Sequence, residues 1–201
     1  MKLLLIILSV LTSFLTNLEQ KTLQSDFTLT VSESVAAPMN YPGTLTMHGQ
    51  CFNLHMYNIH AAYDGQTMYM YSPETDELTL TNPTEEELLE TNPFLYARAL
   101  VDVCNVTERT VTGNPSPVTL ITLTPKDGAS SRQTGGAASA EKGITKFVLK
   151  LRIDDLMPLS VELKEGKKLT TLTLKDPRFI TSKQEYKITP DKNTFINDMR
   201  L

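Results

Sequence analysis

The sequence predicts a mainly β domain of the α+β class, built as an antiparallel meander of eight to eleven strands with a few helices. Three observations carry this. From about residue 22 onward, apolar side chains recur with a period of two. Threonine is abundant, 27 of 201 residues, and a β-branched side chain loses less freedom on a pleat than in a helix. The alternating runs are separated by only a few turn-forming residues, and such short links join antiparallel neighbours.

The chain opens with Met1 and Lys2, followed by the apolar run Leu3 to Leu8 and then Val10 and Leu11. One positive charge before a short apolar run is the outline of a secretory signal over residues 1–20. The run falls short of the roughly 20 residues needed to span a bilayer. No Ala-x-Ala cleavage pattern follows, and no cysteine stands nearby for lipid attachment. The other reading is a first helix over residues 5–23, because Val10, Leu11, Phe14, Leu15 and Leu18 fall at helical spacing. Signal and helix can overlap, and both readings stay open. Residues 21–201 read as one domain.

The strands follow in order. Phe27, Leu29 and Val31 alternate with threonines, as do Leu45 and Met47. Phe52, Leu54 and Met56 alternate with Asn53, His55 and Tyr57, and Met68 and Met70 with Thr67, Tyr69 and Tyr71. Leu78 and Leu80 come next, then Leu120 to Thr124, the run Phe147, Leu149, Leu151 and Ile153, the pair Val161 and Leu163, and Leu172 and Leu174. A last short strand is expected at Tyr186 to Thr189. Turns are expected at His48-Gly49-Gln50, Asp64-Gly65, Ser72-Pro73-Glu74 and Glu165-Gly166-Lys167. One stretch breaks the rhythm. Thr84-Glu85-Glu86-Glu87 has the pattern of a capping box, with acidic residues at the positive end of a helix. Asn92-Pro93 ends that helix or begins another, and Phe94 to Val103 reads as a second helix. Lys126 to Gly143 is rich in Gly, Ala and Ser and reads as a mobile hairpin loop.

Composition removes several function classes. Nineteen basic against 23 acidic residues give a net charge of −4, the opposite of what phosphate-backbone binding asks for, so nucleic acid is not an expected partner. Two cysteines rule out a disulfide scaffold. Cys51 and Cys104 could pair in an oxidising compartment, but a buried free thiol is the plainer reading of Cys51 beside Phe52. His48, His55 and His60 show no metal-ligand spacing, and His55 and His60 should straddle a turn. Ser139-Ala140-Glu141-Lys142 matches Ser-x-x-Lys by chance, since it lies in the Gly-rich loop. Asn105-Val106-Thr107 is a glycosylation sequon only in a eukaryotic secretory host. Asp154-Asp155 and Glu85 to Glu87 are adjacent acids of the solvated kind. No motif points to an enzyme, a metal or a cofactor. What remains is a soft apolar face, with Met47, Met56, Met68 and Met70 sharing an inward phase with Leu45, Phe52, Leu54 and Leu78. Methionine adapts to ligands of variable shape. On composition alone an ordinary sheet core under helices is the plainer reading.

The stretch Ala62-Tyr63-Asp64-Gly65-Gln66-Thr67-Met68-Tyr69-Met70-Tyr71-Ser72 resembles a hairpin of the outer-membrane lipoprotein carrier family, the LolA-like proteins. Phe27-Thr28-Leu29-Thr30, Gly43-Thr44-Leu45 and Phe52-Asn53-Leu54 resemble its first three strands. Asp76-Glu77-Leu78-Thr79-Leu80, Pro83-Thr84-Glu85-Glu86-Glu87-Leu88 and Asn92-Pro93 are similar to versions from the Bacteroidetes lineage. Thr122-Leu123-Thr124-Pro125-Lys126 and the tail Phe195 to Arg200 also match in order. The resemblance covers residues 25–201.

It implies an incomplete antiparallel β-barrel of about eleven strands with helices as a lid over the concave face. It also implies an exported, monomeric, non-enzymatic periplasmic carrier that binds the acyl chains of lipoproteins and moves them toward the outer membrane. An inner-membrane lipoprotein-releasing transporter would be the donor and an outer-membrane protein the acceptor. The alternative is a lipid-binding sensor or scaffold on the same half-barrel, binding a partner protein. With that fold, the inward-phased residues expected to line the acyl-chain cavity are Leu29, Val31, Leu45, Met47, Phe52, Leu54, Met56, Met68, Met70, Leu78, Leu149, Leu151 and Leu172. Leu88, Leu89, Phe94 and Leu95 are expected in the lid. One departure stands out: better-studied members carry a basic stretch where this chain has Met47-His48-Gly49-Gln50, so the lid-holding arginine of those proteins has no match here.

Overall fold

A computed structural model describes residues 2–33, 36–113, 116–126, 144–181 and 184–200; the side chains of residues 2–9 and of Glu90 lie outside the description. The expected loop over Lys126 to Gly143 falls almost wholly outside the described residues. Helix α1 spans Lys2–Gln20, and β1 begins directly after it at Thr22. The other strands are β2 Met39–His48, β3 Cys51–Met56, β4 Ile59–Tyr63, β5 Met68–Ser72, β6 Glu77–Thr81, β7 Cys104–Val111, β8 Val118–Pro125, β9 Ile144–Arg152, β10 Pro158–Glu165, β11 Lys168–Ile180 and β12 Phe195–Asp198. Helices α2 Glu85–Thr91 and α3 Pro93–Leu100 interrupt the strands between β6 and β7.

These twelve strands form one open sheet in the order β12-β6-β5-β4-β3-β2-β1-β11-β10-β9-β8-β7. Every pair is antiparallel except β12 with β6, which is parallel. Residues 22–32 of β1 sit at the centre, pairing with β2 on one side and β11 on the other. This order places the helices. Strand β6 lies next to one edge of the sheet and β7 forms the other, so the connection carrying α2 and α3 must traverse the sheet. It crosses the concave face and covers it.

The helix ends explain why the crossing segment folds as two short helices. Thr84 caps α2: its hydroxyl accepts from the Glu87 amide at 3.3 Å while the Glu87 carboxylate accepts from the Thr84 amide at 2.7 Å. Asn92 ends α2 and begins α3. Its side-chain oxygen accepts from the amides of Phe94 at 3.0 Å and Leu95 at 3.3 Å, and Pro93 takes the first helical position, where a missing N–H costs nothing.

Four sequence expectations are corrected. Strand β7 was not foreseen, because as an edge strand it has little apolar alternation: Glu108 stands in the inward row opposite Ile121. The last strand is Phe195–Asp198, and Tyr186 to Thr189 pairs with no strand. Helix α3 stops at Leu100 instead of Val103, followed by a turn. Leu78 is on the other face from the one expected. The four-residue turn Pro73–Asp76 pairs Ser72 with Glu77, so Met70 faces Thr79 and Met68 faces Thr81. Leu78 and Leu80 therefore stand with Tyr71 and Tyr69 on the outer face, where both are buried. The C-terminal segment returns along that face: the Asn53 side chain donates to the Glu185 carbonyl at 2.7 Å, and the Phe195 amide donates to the Asp76 carbonyl at 2.9 Å.

Candidate functional site

The concave face is divided into a packed end and an open end. At the packed end, α1 lays Leu11, Phe14 and Leu18 onto Leu23 and Met47, and all five are buried in one cluster. Phe14 meets Phe94 of α3 with ring centroids 5.7 Å apart. The Gly49 amide in the β2–β3 turn donates to the Leu18 carbonyl at 2.7 Å, which fixes the end of α1 to the sheet. Arg98 of α3 and Glu19 of α1 form an exposed ion pair at 2.7 Å. This contact joins the lid to α1. A small cavity of about 200 Å³ remains between these helices, bordered by Leu15, Leu18, Met47, Phe94 and Leu95.

At the open end the sheet and the lid stay apart. A cavity of about 460 Å³ lies between them. Its floor is Phe27 and Leu29 of β1, Leu45 of β2, and Phe52, Leu54 and Met56 of β3. Its far wall is Phe147, Val161, Leu163 and Leu172, contributed by β9, β10 and β11. Its roof is Leu89, Thr91, Asn92, Pro93 and Tyr96. Glu165 and Lys168, the two ends of the β10–β11 turn, are its only charged lining among the described residues and stand 3.9 Å apart. The floor depends on Gly43. A Cβ there would lie 2.5 Å from the Phe27 ring and 2.5 Å from the His55 carbonyl oxygen, so only glycine lets the ring lie flat across β2.

Of the residues expected from phase, Leu29, Leu45, Phe52, Leu54, Met56 and Leu172 border this cavity, joined by Leu89 of the lid. The others are placed elsewhere. Leu149 and Leu151 share the inward row but are fully buried beneath the helices. Met47 borders the smaller cavity. Met68 is packed in the core next to the row of Phe52 and Tyr63. Val31 and Met70 stand in inward rows beyond the helices' cover, half-exposed and 39% exposed respectively. Leu78 is on the outer face. In the lid, Leu88 and Phe94 are core residues and Leu95 borders the smaller cavity. Sequence reasoning missed the apolar lining residues Phe27, Phe147, Val161, Leu163 and Tyr96, the polar roof residue Asn92 and the rim pair Glu165 and Lys168. The Asn-Pro step and the Glu-Gly-Lys turn were visible, but only as punctuation.

Both cysteines are free. Burial pushes both thiols up, with Asp64 adding to the effect at Cys51 and Lys126 opposing it at Cys104. Asp64 is partly desolvated, which would raise it. The amides of Thr67 and Gln66 and the Tyr69 hydroxyl all donate to it and bring it below the ordinary carboxylate range. It holds the β4–β5 turn. Among the described residues, no three His, Cys, Asp or Glu side chains cluster as a metal site, and no helix is long and apolar enough to cross a membrane.

No protein-family model and no curated protein matches the sequence. Solved structures do. An uncharacterised conserved protein of Thermus thermophilus is 9% identical with a TM-score of 0.60, over 94% of this chain and 98% of that one. MucB of Pseudomonas aeruginosa, solved with MucA, is 14% identical with a TM-score of 0.50, over 89% of this chain and 59% of that one. A LolA superfamily protein of Nitrosomonas europaea is 9% identical with a TM-score of 0.40, over 87% and 94% of the two chains. At these identities the likeness is one of fold.

Proposed function

We propose that this protein is an exported carrier that shelters acyl chains of lipoproteins in the cavity beneath its lid and moves them toward the outer membrane. The observation that carries the reading is the apolar gap of about 460 Å³ left between a curved sheet and two short helices, in a fold that could have filled it. The physical need is plain. At about 0.8 kcal/mol per methylene, some 40 methylenes on a lipoprotein expose roughly 30 kcal/mol of apolar surface to water. A carrier need not bind with that whole figure, which exceeds the practical ceiling of about 20 kcal/mol. It need only offer surroundings as apolar as the membrane, so that transfer runs near balance in both directions.

The volume sets a limit. At roughly 30 Å³ per methylene, close to a water molecule's share of the liquid, the gap takes about fifteen methylenes. That is one chain. Two or three chains require the lid to swing away from the sheet, and the lid is suited to this: Asn92 is a two-helix joint, and the Arg98–Glu19 tie is exposed and weak. The rim pair Glu165 and Lys168 would sit where the polar end of a chain emerges. Periplasmic location, an inner-membrane donor and an outer-membrane acceptor belong to this reading.

A second reading is a sensor or scaffold that binds a partner protein on the same half-barrel. The fold likeness to MucB, a protein solved in complex with MucA, favours it. Native mass spectrometry with lipid extraction of the gently purified protein separates the two. A carrier retains lipid or takes up a diacylated lipopeptide. A protein that stays lipid-free and refuses the lipopeptide is not a carrier.

A further inference from the structure

We propose that His55 and His60 form a two-imidazole binding site for a divalent transition-metal ion, of the Zn²⁺ or Ni²⁺ type, on the outer face of the sheet. The site is independent of the cavity, which lies on the other face of β3. Its basis is the β3–β4 hairpin. Met56 and Ile59 close a two-residue turn, and His55 pairs with His60 one step further along. The residues closing such a turn exchange the backbone hydrogen bonds, so the next pair is the non-hydrogen-bonded kind, whose side chains stand closest. The two rings are in edge contact with centroids 4.0 Å apart. His55 is exposed and His60 half-buried, so the pair is open to solvent on its outer side.

The chemistry suits a borderline cation. Neutral imidazole is the preferred ligand of Zn²⁺ and Ni²⁺. Tyr71 stands on the far side of His60, ring centroids 5.6 Å apart, and its hydroxyl donates to Asp76 at 3.1 Å. That ring steadies His60 without competing for the ion. With no third His, Cys, Asp or Glu gathered there among the described residues, water fills the remaining coordination positions.

The test uses the full chain without an affinity tag, titrated with NiCl₂ and with ZnCl₂ and followed by calorimetry and by the histidine imidazole NMR signals. One ion per chain is expected, with the His55 and His60 resonances moving together. His55→Ala and His60→Asn should each weaken binding by about a hundredfold, because the second imidazole then no longer binds intramolecularly. His48→Ala should leave the affinity unchanged, with circular dichroism confirming that each variant is folded. Absence of saturable binding, unchanged affinity in either hairpin variant, or loss of binding in His48→Ala, which would move the ion to His48 and Cys51, paired across β2 and β3, overturns the proposal.

Discussion

Leu54→Arg is the sharpest test of the cavity. Leu54 stands in the middle of β3, paired with Leu45 on one side and Ala61 on the other, and its side chain forms part of the floor. It is only half-buried, so the longer side chain can enter the gap without breaking the core. The arginine side chain has about three more heavy atoms than the leucine it replaces, so it displaces about three methylenes of a bound chain, a loss of about 2.4 kcal/mol at 0.8 kcal/mol per methylene. Since 1.4 kcal/mol is a factor of ten, affinity for a single-chain probe should fall by at least about fiftyfold. The guanidinium beside the remaining chain adds to that. The assay is displacement of a dansyl fatty acid, with urea unfolding to confirm that the variant is intact. Glu162→Arg, at an exposed outer-face position of β10, is the matched control and should bind normally. A folded Leu54→Arg protein that binds within threefold of the unsubstituted chain would refute the placement of acyl chains here.

Asn92→Ala removes the acceptor of two helix-start amides and should cost about 1–2 kcal/mol in urea unfolding, with faster hydrogen exchange in α3. Gly65→Ala should cost about 1–2 kcal/mol, because Gly65 has φ +102°, and should leave lipid binding intact. Phe14→Ala empties a fully buried site against Phe94 and should cost about 3–5 kcal/mol, showing in chemical denaturation that α1 belongs to the fold. Asp64 has its carboxyl held below the ordinary value of 3.8, so its stabilisation is complete above that pH and fades as pH falls below it. Urea midpoints measured from pH 6 down to pH 3 should therefore drop less for Asp64→Asn than for the unsubstituted chain.

Much of the fold was legible because period-two alternation reports which residues share a face within one strand. It does not report which faces of two strands coincide; turn length does. An even-numbered turn pairs even residues with odd ones. The two-residue turn Gly49–Gln50 thus brings odd-numbered Leu45 and Met47 beside even-numbered Phe52 and Leu54, as expected. The four-residue turn Pro73–Asp76 places even-numbered Leu78 opposite odd-numbered Tyr71, away from Met68 and Met70. Counting the turn would have moved Leu78 to the outer face. Strands β7 and β12 were harder to see, because an edge strand needs no apolar row: β12 exposes Phe195 and Ile196, and β7 carries Glu108 inward.

Which inward residues border open space could not be read from phase at all. Leu149, Leu151 and Leu54 obey one alternation, yet the first two are fully buried and Leu54 borders the cavity. The difference lies in what crosses above them. Helix α1 enters at the start of β1 and fills the end of the concave face near Met47, while α2 and α3 must reach from β6 to β7 in two short pieces joined at Asn92. Helix α1 packs at one end only, and α2 and α3 leave a gap above Leu54 at the other. The place of the gap therefore follows from where the helices cross, which the phase of the lining residues does not report. Substituting a floor residue should change what fits in the cavity, whereas abolishing it would require lengthening or refilling the lid.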